Sequence, residues 1–177
     1  MKKKVCTILI VLVVAAAFPA VADIQVDIGV NVPFLFGVEF ADEDAQQWSE
    51  YAFVLPDAKV SYFMEFGNLK LGAGLRAFTI ILESLVYPTV TAEYDISDVR
   101  LSASIGGGAF ALIGLYNDIF TGNIWMPEVS AIYRVNEWFG LGVGATGFFI
   151  PGEEELVENP FPYAAYALAR FTLGGKE

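Results

Sequence analysis

Apolar and polar residues alternate along most of this chain, and the alternation recurs in eight separate stretches. In the first stretch Ile24, Val26 and Ile28 share one face, while Gln25 and Asp27 share the other. A period of two sustained over this length is typical of a β-strand, whose side chains point alternately to opposite faces. The pattern therefore predicts eight strands, at about 24–32, 58–66, 69–77, 89–96, 99–106, 125–135, 139–145 and 161–173.

The two faces of these strands differ in chemistry. The apolar faces contain no charged side chain, no amide and no serine or threonine hydroxyl. The opposite faces carry charged residues, which are Asp27, Lys59, Glu65, Lys70, Arg76, Glu93, Arg100, Glu128, Arg134 and Arg170. An apolar outside and a charged inside suit a protein embedded in hydrocarbon. The pattern predicts an all-β, eight-stranded antiparallel up-and-down transmembrane β-barrel, with a salt-bridge network of these side chains in its lumen.

A water-soluble up-and-down barrel has the same strand count but the inverse arrangement, so composition must decide between the two. Glycine runs lie on the charged face, as a narrow lumen with bulky neighbours requires. Aromatic residues of the apolar face concentrate near strand ends, where the two interfaces of a bilayer would lie. They are Phe66, Tyr94, Tyr133, Phe139 and Phe171 at one end, and Trp125, Phe161 and Tyr163 at the other. This sorting favours the membrane barrel.

Short and long connections alternate between the predicted strands. Tight turns are predicted at 67–68, 97–98 and 136–138, and long connections at 41–50, 79–86, 112–124 and 151–159. The connection 79–86 has a composition that suits a short helix, and the alternation of the first strand is expected to continue past Pro33 to Phe40. An even number of strands places both chain ends on the short-turn side, which is periplasmic in outer-membrane barrels.

Residues 1–22 have the features of a secretory signal peptide. Lys2, Lys3 and Lys4 precede an apolar segment, and Ala20-Val21-Ala22 suits signal peptidase cleavage. The predicted organisation is therefore a signal peptide at 1–22 and one outer-membrane β-barrel domain at 23–177.

Composition narrows the possible functions. The chain is 55% hydrophobic, yet no run after residue 22 is long enough for a membrane-spanning helix. Its formal net charge of −11 should repel nucleic acid. The chain contains no histidine, and its single cysteine, Cys6, lies in the leader, which eliminates Ser-His and Cys-His nucleophile pairs. A carboxylate pair could still act as acid and base, but inward arginines and lysines favour salt bridges instead. We expect no enzyme activity, no cofactor and no metal.

Two kinds of long connection carry candidate chemistry. The acidic connections are interpreted as solvated surface, with weak divalent-cation binding as the alternative. Their acidic residues are Asp42, Glu43, Asp44, Glu153, Glu154, Glu155 and Glu158. The apolar ones supply the candidate binding residues Ile80, Ile81, Leu82, Leu115, Tyr116 and Phe120. These could line a mouth that admits small hydrophobic solutes, or they could pack on each other or extend the sheet beyond the membrane. The sequence leaves both interpretations open.

The segment Ala131–Gly142, which reads AIYRVNEWFGLG, resembles small bacterial outer-membrane barrels of the OmpA-like, OmpX-like and OmpW-like groups. Thr91–Asp98 repeats the same tyrosine-containing turn pattern one hairpin earlier. The resemblance implies an eight-stranded barrel in the bacterial outer membrane, in contact with outer-membrane lipid. It also implies a partner in the outer-membrane assembly machinery, which reads a C-terminal aromatic residue; Phe171 is the candidate.

Two functional hypotheses follow. An eight-stranded barrel is just wide enough to be filled by its own side chains, so the first is a structural or surface-interaction protein with a filled lumen. The second is a narrow channel, as in OmpW-like proteins, that passes small hydrophobic molecules across the outer membrane.

Overall fold

The computed structural model describes residues 23–39, 44–50, 53–80, 83–114, 120–122, 124–149 and 161–174. The predicted signal peptide, 1–22, lies outside the described residues. The strands are β1 (Asp23–Glu39), β2 (Asp44–Trp48), β3 (Leu55–Phe66), β4 (Leu69–Ile80), β5 (Glu83–Ile96), β6 (Val99–Gly107), β7 (Phe110–Gly114), β8 (Phe120–Gly122), β9 (Trp125–Asn136), β10 (Phe139–Gly147) and β11 (Phe161–Gly174). No helix long and apolar enough to cross a membrane occurs in these ranges.

Eight of the strands close into a barrel. Going round it, the order is β1, β3, β4, β5, β6, β9, β10 and β11, and each strand pairs antiparallel with the next. Pairing of β11 with β1 completes the circle, from Gln25 opposite Gly174 to Glu39 opposite Phe161. The predicted all-β, eight-stranded antiparallel up-and-down barrel is confirmed. Below, the short-turn end is called the lower end and the opposite end the upper end.

The barrel exterior is apolar and its interior is charged. Val129 on the outside is 59% exposed, whereas Arg76 and Lys59 on the inside are 5% and 6% exposed. A water-soluble protein shows the opposite distribution, because its surface carries the charges and its core the aliphatic residues. The exterior therefore matches hydrocarbon rather than water, as predicted for the membrane barrel and not for the soluble one.

Aromatic side chains form a cluster on the exterior at the lower end. Trp138 stacks on Phe171 with ring centroids 5.5 Å apart, and Phe139 lies 4.9 Å from Phe171. Tyr133 on β9 and Tyr94 on β5 are exposed at the same end of the barrel, with β6 between their strands. Aromatic rings favour the boundary between headgroups and acyl chains, so this cluster marks one interface of the membrane-spanning band.

Two of the three predicted tight turns are as expected, and one differs in detail. Gly67 adopts φ +66°, and Ser97 adopts φ +53°, each at the first position of a two-residue turn. The third connection is not three residues long. Asn136 pairs with Phe139 across a two-residue turn, and a register shift follows between Phe139 and Gly140. The shift leaves one extra residue on β9, which keeps the apolar residues of β9 and β10 on the same face of the sheet.

Three of the four predicted long connections contain strands, and the fourth, 151–159, lies outside the described residues. Pairing of β4 with β5 continues to Ile80 opposite Glu83, so the expected connection 79–86 with a short helix is wrong. The expected connection 112–124 contains β7, which pairs with β5, and β8, which pairs with β7. Within 41–50, β2 pairs with the upper part of β1. Strand pairing satisfies the backbone groups of these segments.

The alternation of β1 does not continue unbroken to Phe40, as the sequence predicted. The register against β11 shifts between Pro33 and Leu35, which leaves Phe34 as an extra residue on β1. Proline has no N–H to contribute to the ladder and is tolerated at such bulges. The bulge reverses the parity of the strand above it, so that Phe36, opposite the buried Ala164, turns toward the upper lumen.

Glycines on the lumen face make room for large side chains from neighbouring strands. A Cβ at Gly72 would lie 2.5 Å from the Phe63 ring, and one at Gly144 would lie 2.7 Å from the Tyr166 ring. Phe63 and Tyr166 are themselves almost fully buried. The predicted association of glycine runs with a narrow, side-chain-filled lumen is visible in this packing.

We predict that Gly142→Ala will destabilise the barrel. Its Cβ would lie 2.1 Å from the Ala131 carbonyl oxygen, a backbone atom that cannot move aside without disturbing the β9–β10 pairing. Overpacking of this kind typically costs about 1–3 kcal/mol. Urea unfolding of refolded protein in lipid vesicles measures the effect. Ala145→Val on the outward face of the same strand is the control, and equal unfolding midpoints for the two variants would contradict the predicted clash.

Candidate functional site

The lumen contains a lower chain of ion pairs that joins five strands. It runs through Asp27, Lys59, Glu93, Arg100, Asp95 and Arg134. Lys59 Nζ lies 3.4 Å from Asp27 Oδ2 and 3.3 Å from Glu93 Oε1. Arg100 lies 3.4 Å from the Glu93 carboxylate and 3.0 Å from that of Asp95. Three acidic and three basic groups alternate, so this lower network carries no net charge.

A second, upper network lies above it and joins β3, β4, β9 and β11, of which β3 and β9 also contribute to the lower network. Asp57 accepts two hydrogen bonds of 2.8 Å from the Arg76 guanidinium and a third of 3.1 Å from Arg170. Arg76 also pairs with Glu128. The bidentate ion pair between Arg76 and Asp57 is a strong form of charge-assisted hydrogen bonding, because two parallel bonds fix its geometry. With two acidic and two basic groups, the upper network is also neutral.

Uncharged polar groups complete the coordination of the lower network. Thr172 Oγ1 donates to Asp27 Oδ1 over 2.7 Å, and Gln25 Nε2 donates to the same carboxylate over 3.0 Å. A buried carboxylate is costly unless its lone pairs are satisfied. Asp27 meets this condition through one ion pair and two neutral donors.

Neighbouring like charges are kept apart by the two networks. Lys59 and Arg76 are directly opposite each other in the β3–β4 pairing, an arrangement that repels on its own. Lys59 reaches down to Asp27 and Glu93, whereas Arg76 reaches Asp57 and Glu128. Each cation therefore has its own pair of carboxylates, which offsets the repulsion.

All ten charged residues that the sequence placed in the lumen make ion pairs in the structure. Eight belong to the two networks, and Glu65 pairs with Lys70 at 2.7 Å near the lower rim, where the Glu65 side chain is 39% exposed. Asp57 and Asp95 also join the networks but were not among the predicted lumen charges. Asp57 has the same parity as Lys59, but it follows Pro56 and precedes the predicted start of the strand at Ala58, whereas β3 begins at Leu55.

Open space in the lumen differs between its two halves. The lower half contains a cavity of about 50 Å³ beside the lower network. The upper half contains a cavity of about 360 Å³, bordered below by Arg76 and Glu128. Its walls are mainly apolar and aromatic and include Phe53, Leu55, Phe78, Tyr87, Met126, Phe148 and Tyr166. We call this space the upper cavity.

The described lining of the upper cavity includes none of the apolar candidate residues predicted from the sequence. Ile81, Leu82, Leu115 and Tyr116 lie outside the described residues, as do most of the acidic candidates, namely Asp42, Glu43, Glu153, Glu154, Glu155 and Glu158. Three further candidates lie in strands, namely Ile80 in β4, Phe120 in β8 and Asp44 in β2. Their side chains are not among those that the structure describes. The alternation could have indicated the cavity lining, because Leu55, Phe78 and Met126 lie on the same inward face of their strands as nearby charged residues.

Within the ranges that the structure describes, no three His, Cys, Asp or Glu side chains are arranged to hold a metal ion. The carboxylates of the two networks face arginine and lysine instead.

Comparison with known proteins finds similarity to solved structures alone. No family model matches it, and no curated protein matches it significantly. Among solved structures it is similar to neisserial surface protein A (15% identity, 85% of this chain and 96% of that chain, TM-score 0.44). It is also similar to the N-terminal β-barrel domain of Pseudomonas aeruginosa OprF (15%, 84% and 97%, TM-score 0.44) and to the P. aeruginosa outer membrane protein OprG (12%, 86% and 93%, TM-score 0.36).

The barrel's own geometry gives its class. A closed antiparallel sheet leaves no unpaired strand edge along the eight-stranded wall, and its exterior is apolar. These are the two conditions for a β-structure to span a bilayer. The chain is therefore a small eight-stranded barrel of the bacterial outer-membrane type.

We predict that Asp57→Ala will strongly destabilise the barrel, because Arg170 loses its ion pair and Arg76 keeps only Glu128. Breaking a buried ion pair by removing one partner typically costs about 3–5 kcal/mol. Urea unfolding in vesicles measures the loss. Glu65→Ala at the solvent-exposed rim serves as the control, with an expected cost within about 1 kcal/mol.

The double variant Asp57→Ala, Arg170→Ala tests the cause of this loss. It removes an acid and a base together, so it should recover part of the stability lost by Asp57→Ala alone. Strictly additive losses would show that the two side chains are not coupled.

Proposed function

We propose that the protein is an integral outer-membrane barrel with a filled lumen and a structural or surface-interaction role. The observation that carries this proposal is the pair of neutral ion-pair networks that cross the lumen at two levels. Charged groups held by one another leave no free fixed charge of either sign to attract a permeating ion. The cavity left in the lower half, about 50 Å³, holds only a few water molecules.

The surface-interaction part of the proposal rests on the strands that extend the sheet at the upper end. β2, β7 and β8 are not part of the barrel wall and pair only with β1, β5 and each other. Trp48 on β2 is strongly exposed and stacks on Phe34 at a ring distance of 5.9 Å. Large exposed apolar groups commonly mark contact sites, so this end is the candidate surface for lipid or a partner.

The other proposed partners follow from the exterior. Outer-membrane lipid would cover the apolar band. The assembly machinery would read the aromatic residue of the last strand, Phe171, which is exposed and stacked on Trp138. We propose no enzyme activity, since the inward carboxylates are engaged by arginine and lysine.

Planar-bilayer recording of refolded residues 23–177 tests the filled lumen, after a heat-dependent gel shift has verified the barrel. We expect the wild-type protein to produce no discrete conductance steps. The variant Asp57→Ala, Arg170→Ala, Lys59→Ala, Glu93→Ala shortens lumen side chains in both networks while keeping the charge balanced, and it should produce brief openings. The rim variant Glu65→Ala, Lys70→Ala should stay silent. Regular steps from the wild-type protein would refute the filled lumen.

The second candidate function is a narrow channel that passes small hydrophobic molecules. The upper cavity favours it, because about 360 Å³ of mainly apolar space lies above the ion pairs. Passage would require a route beyond Arg76 and Glu128, which border the cavity below. Uptake of a small apolar dye into barrel-containing vesicles, faster than into empty vesicles, would support this function over the filled barrel.

A further inference from the structure

We infer that the lipid-contacting band of the barrel is short, so that the protein fits a thin bilayer and thins a thicker one around itself. The inference deepens the proposed contact with outer-membrane lipid and rests on it. It is drawn from three prolines that end strand pairing in the upper part of the wall, from the tyrosines below them, and from the change of the exterior above them.

Three strands that run from the upper end to the lower end share one proline–tyrosine spacing. In each of them an outward-facing proline precedes an outward-facing tyrosine by six residues. The pairs are Pro56 and Tyr62 in β3, Pro88 and Tyr94 in β5, and Pro127 and Tyr133 in β9. The same arrangement therefore recurs in the hairpins β3–β4, β5–β6 and β9–β10.

The prolines end the pairing within each hairpin. Pairing between the two strands runs upward from the tight turn and ends at the residue directly after the proline. The last pairs are Asp57 opposite Phe78, Thr89 opposite Gly106, and Glu128 opposite Thr146. Above Pro127 an isolated bridge, Trp125 opposite Phe149, joins β9 to β10. Proline has no N–H for the ladder, so each interruption leaves the facing strand without one of its usual donors.

These interruptions set the upper limit of the contact with hydrocarbon. An unpaired carbonyl is tolerated where water or a head group can donate to it, and is excluded from the acyl chains. The exterior changes above the prolines. Thr79 and Ser84 face outward opposite each other, with their hydroxyl oxygens 3.0 Å apart. Trp125 stacks on Phe149 at a ring distance of 6.5 Å, an aromatic pair typical of a membrane interface.

The band below the prolines is short. On β5 and β9, eight residues separate the proline from the last outward residue before the tight turn, Ile96 or Val135. With a rise of ~3.3 Å per residue and a tilt of ~40°, this interval spans about 20 Å along the membrane normal. The apolar band of outer-membrane barrels is typically about 25 Å tall. β3 continues two residues further than this interval, to Phe66, but its tyrosine has the same spacing from the proline.

Urea unfolding of refolded residues 23–177 in fluid vesicles of different thickness tests the short band. The lipids are dimyristoleoyl, dipalmitoleoyl, dioleoyl and dieicosenoyl phosphatidylcholine, in order of increasing thickness. We expect the urea midpoint to be highest in the thinnest bilayer and to fall with chain length, because thicker bilayers draw the interrupted ladders into hydrocarbon. A midpoint that does not fall from the thinnest to the thickest bilayer would overturn the inference.

The variant Pro88→Val, Pro127→Val tests the cause of this dependence. Valine supplies the two missing N–H groups and keeps an apolar, strand-forming side chain on the lipid face. Its urea midpoint should exceed that of the wild type, and by more in dieicosenoyl than in dimyristoleoyl phosphatidylcholine. Pro162→Val is the matched control, because Pro162 lines the upper cavity, so its effect should not depend on chain length. An equal gain of the double variant in all lipids would overturn the inference.

Cysteine labelling locates the boundary without altering a proline. Residues 23–177 contain no cysteine, so single-cysteine variants can be made directly. Val86 and Val90 face outward on β5, two residues above and two residues below Pro88. In dioleoyl phosphatidylcholine vesicles a water-soluble maleimide should label Val86→Cys and leave Val90→Cys unlabelled. Equal labelling of the two variants would show that the boundary does not lie at the prolines.

These outcomes are separate from that of the conductance test. A barrel that conducts would refute the filled lumen without changing the bilayer thickness in which it is most stable. A silent barrel that is most stable in the thickest bilayer would refute the short band alone.

Discussion

The structure depends on one constraint, which is that a strand in hydrocarbon must have every backbone N–H and C=O paired within the protein. Eight antiparallel strands meet it by closing on themselves, with β11 against β1 as the last pairing. Closure fixes the width of the lumen, and this width makes glycine necessary wherever a ring such as Phe63 or Tyr166 crosses it. The apolar exterior and the polar interior then follow from the two-residue repeat of each strand.

Charge balance is the second consequence of closure. Side chains that point into a narrow lumen are removed from bulk water, so each ionised group needs a partner. Both networks are neutral, and each of their charges touches a group of opposite sign.

The upper end of the barrel differs from the membrane-spanning band in its strand pairing and in its alternation of apolar and polar residues. Apolar stretches that suggested loops are paired as β-sheet in β4, β5, β7 and β8, in agreement with the alternative that they extend the sheet beyond the membrane. The bulge at Phe34 interrupts the alternation of β1 at the same level. The upper cavity lies at this level, above Arg76 and Glu128.

The sequence by itself determined the number of barrel strands, the two faces, two of the three tight turns and ten of the twelve charged residues of the ion pairs. All of these depend on local spacing, which a two-residue repeat displays directly. Only the tertiary structure decided which charges pair, because Arg170 and Asp57 are 113 residues apart and meet only when the barrel closes. The same holds for Asp57 itself, hidden from the pattern by Pro56, and for the upper cavity. That cavity requires a register shift and side chains from non-adjacent strands, and local alternation encodes neither.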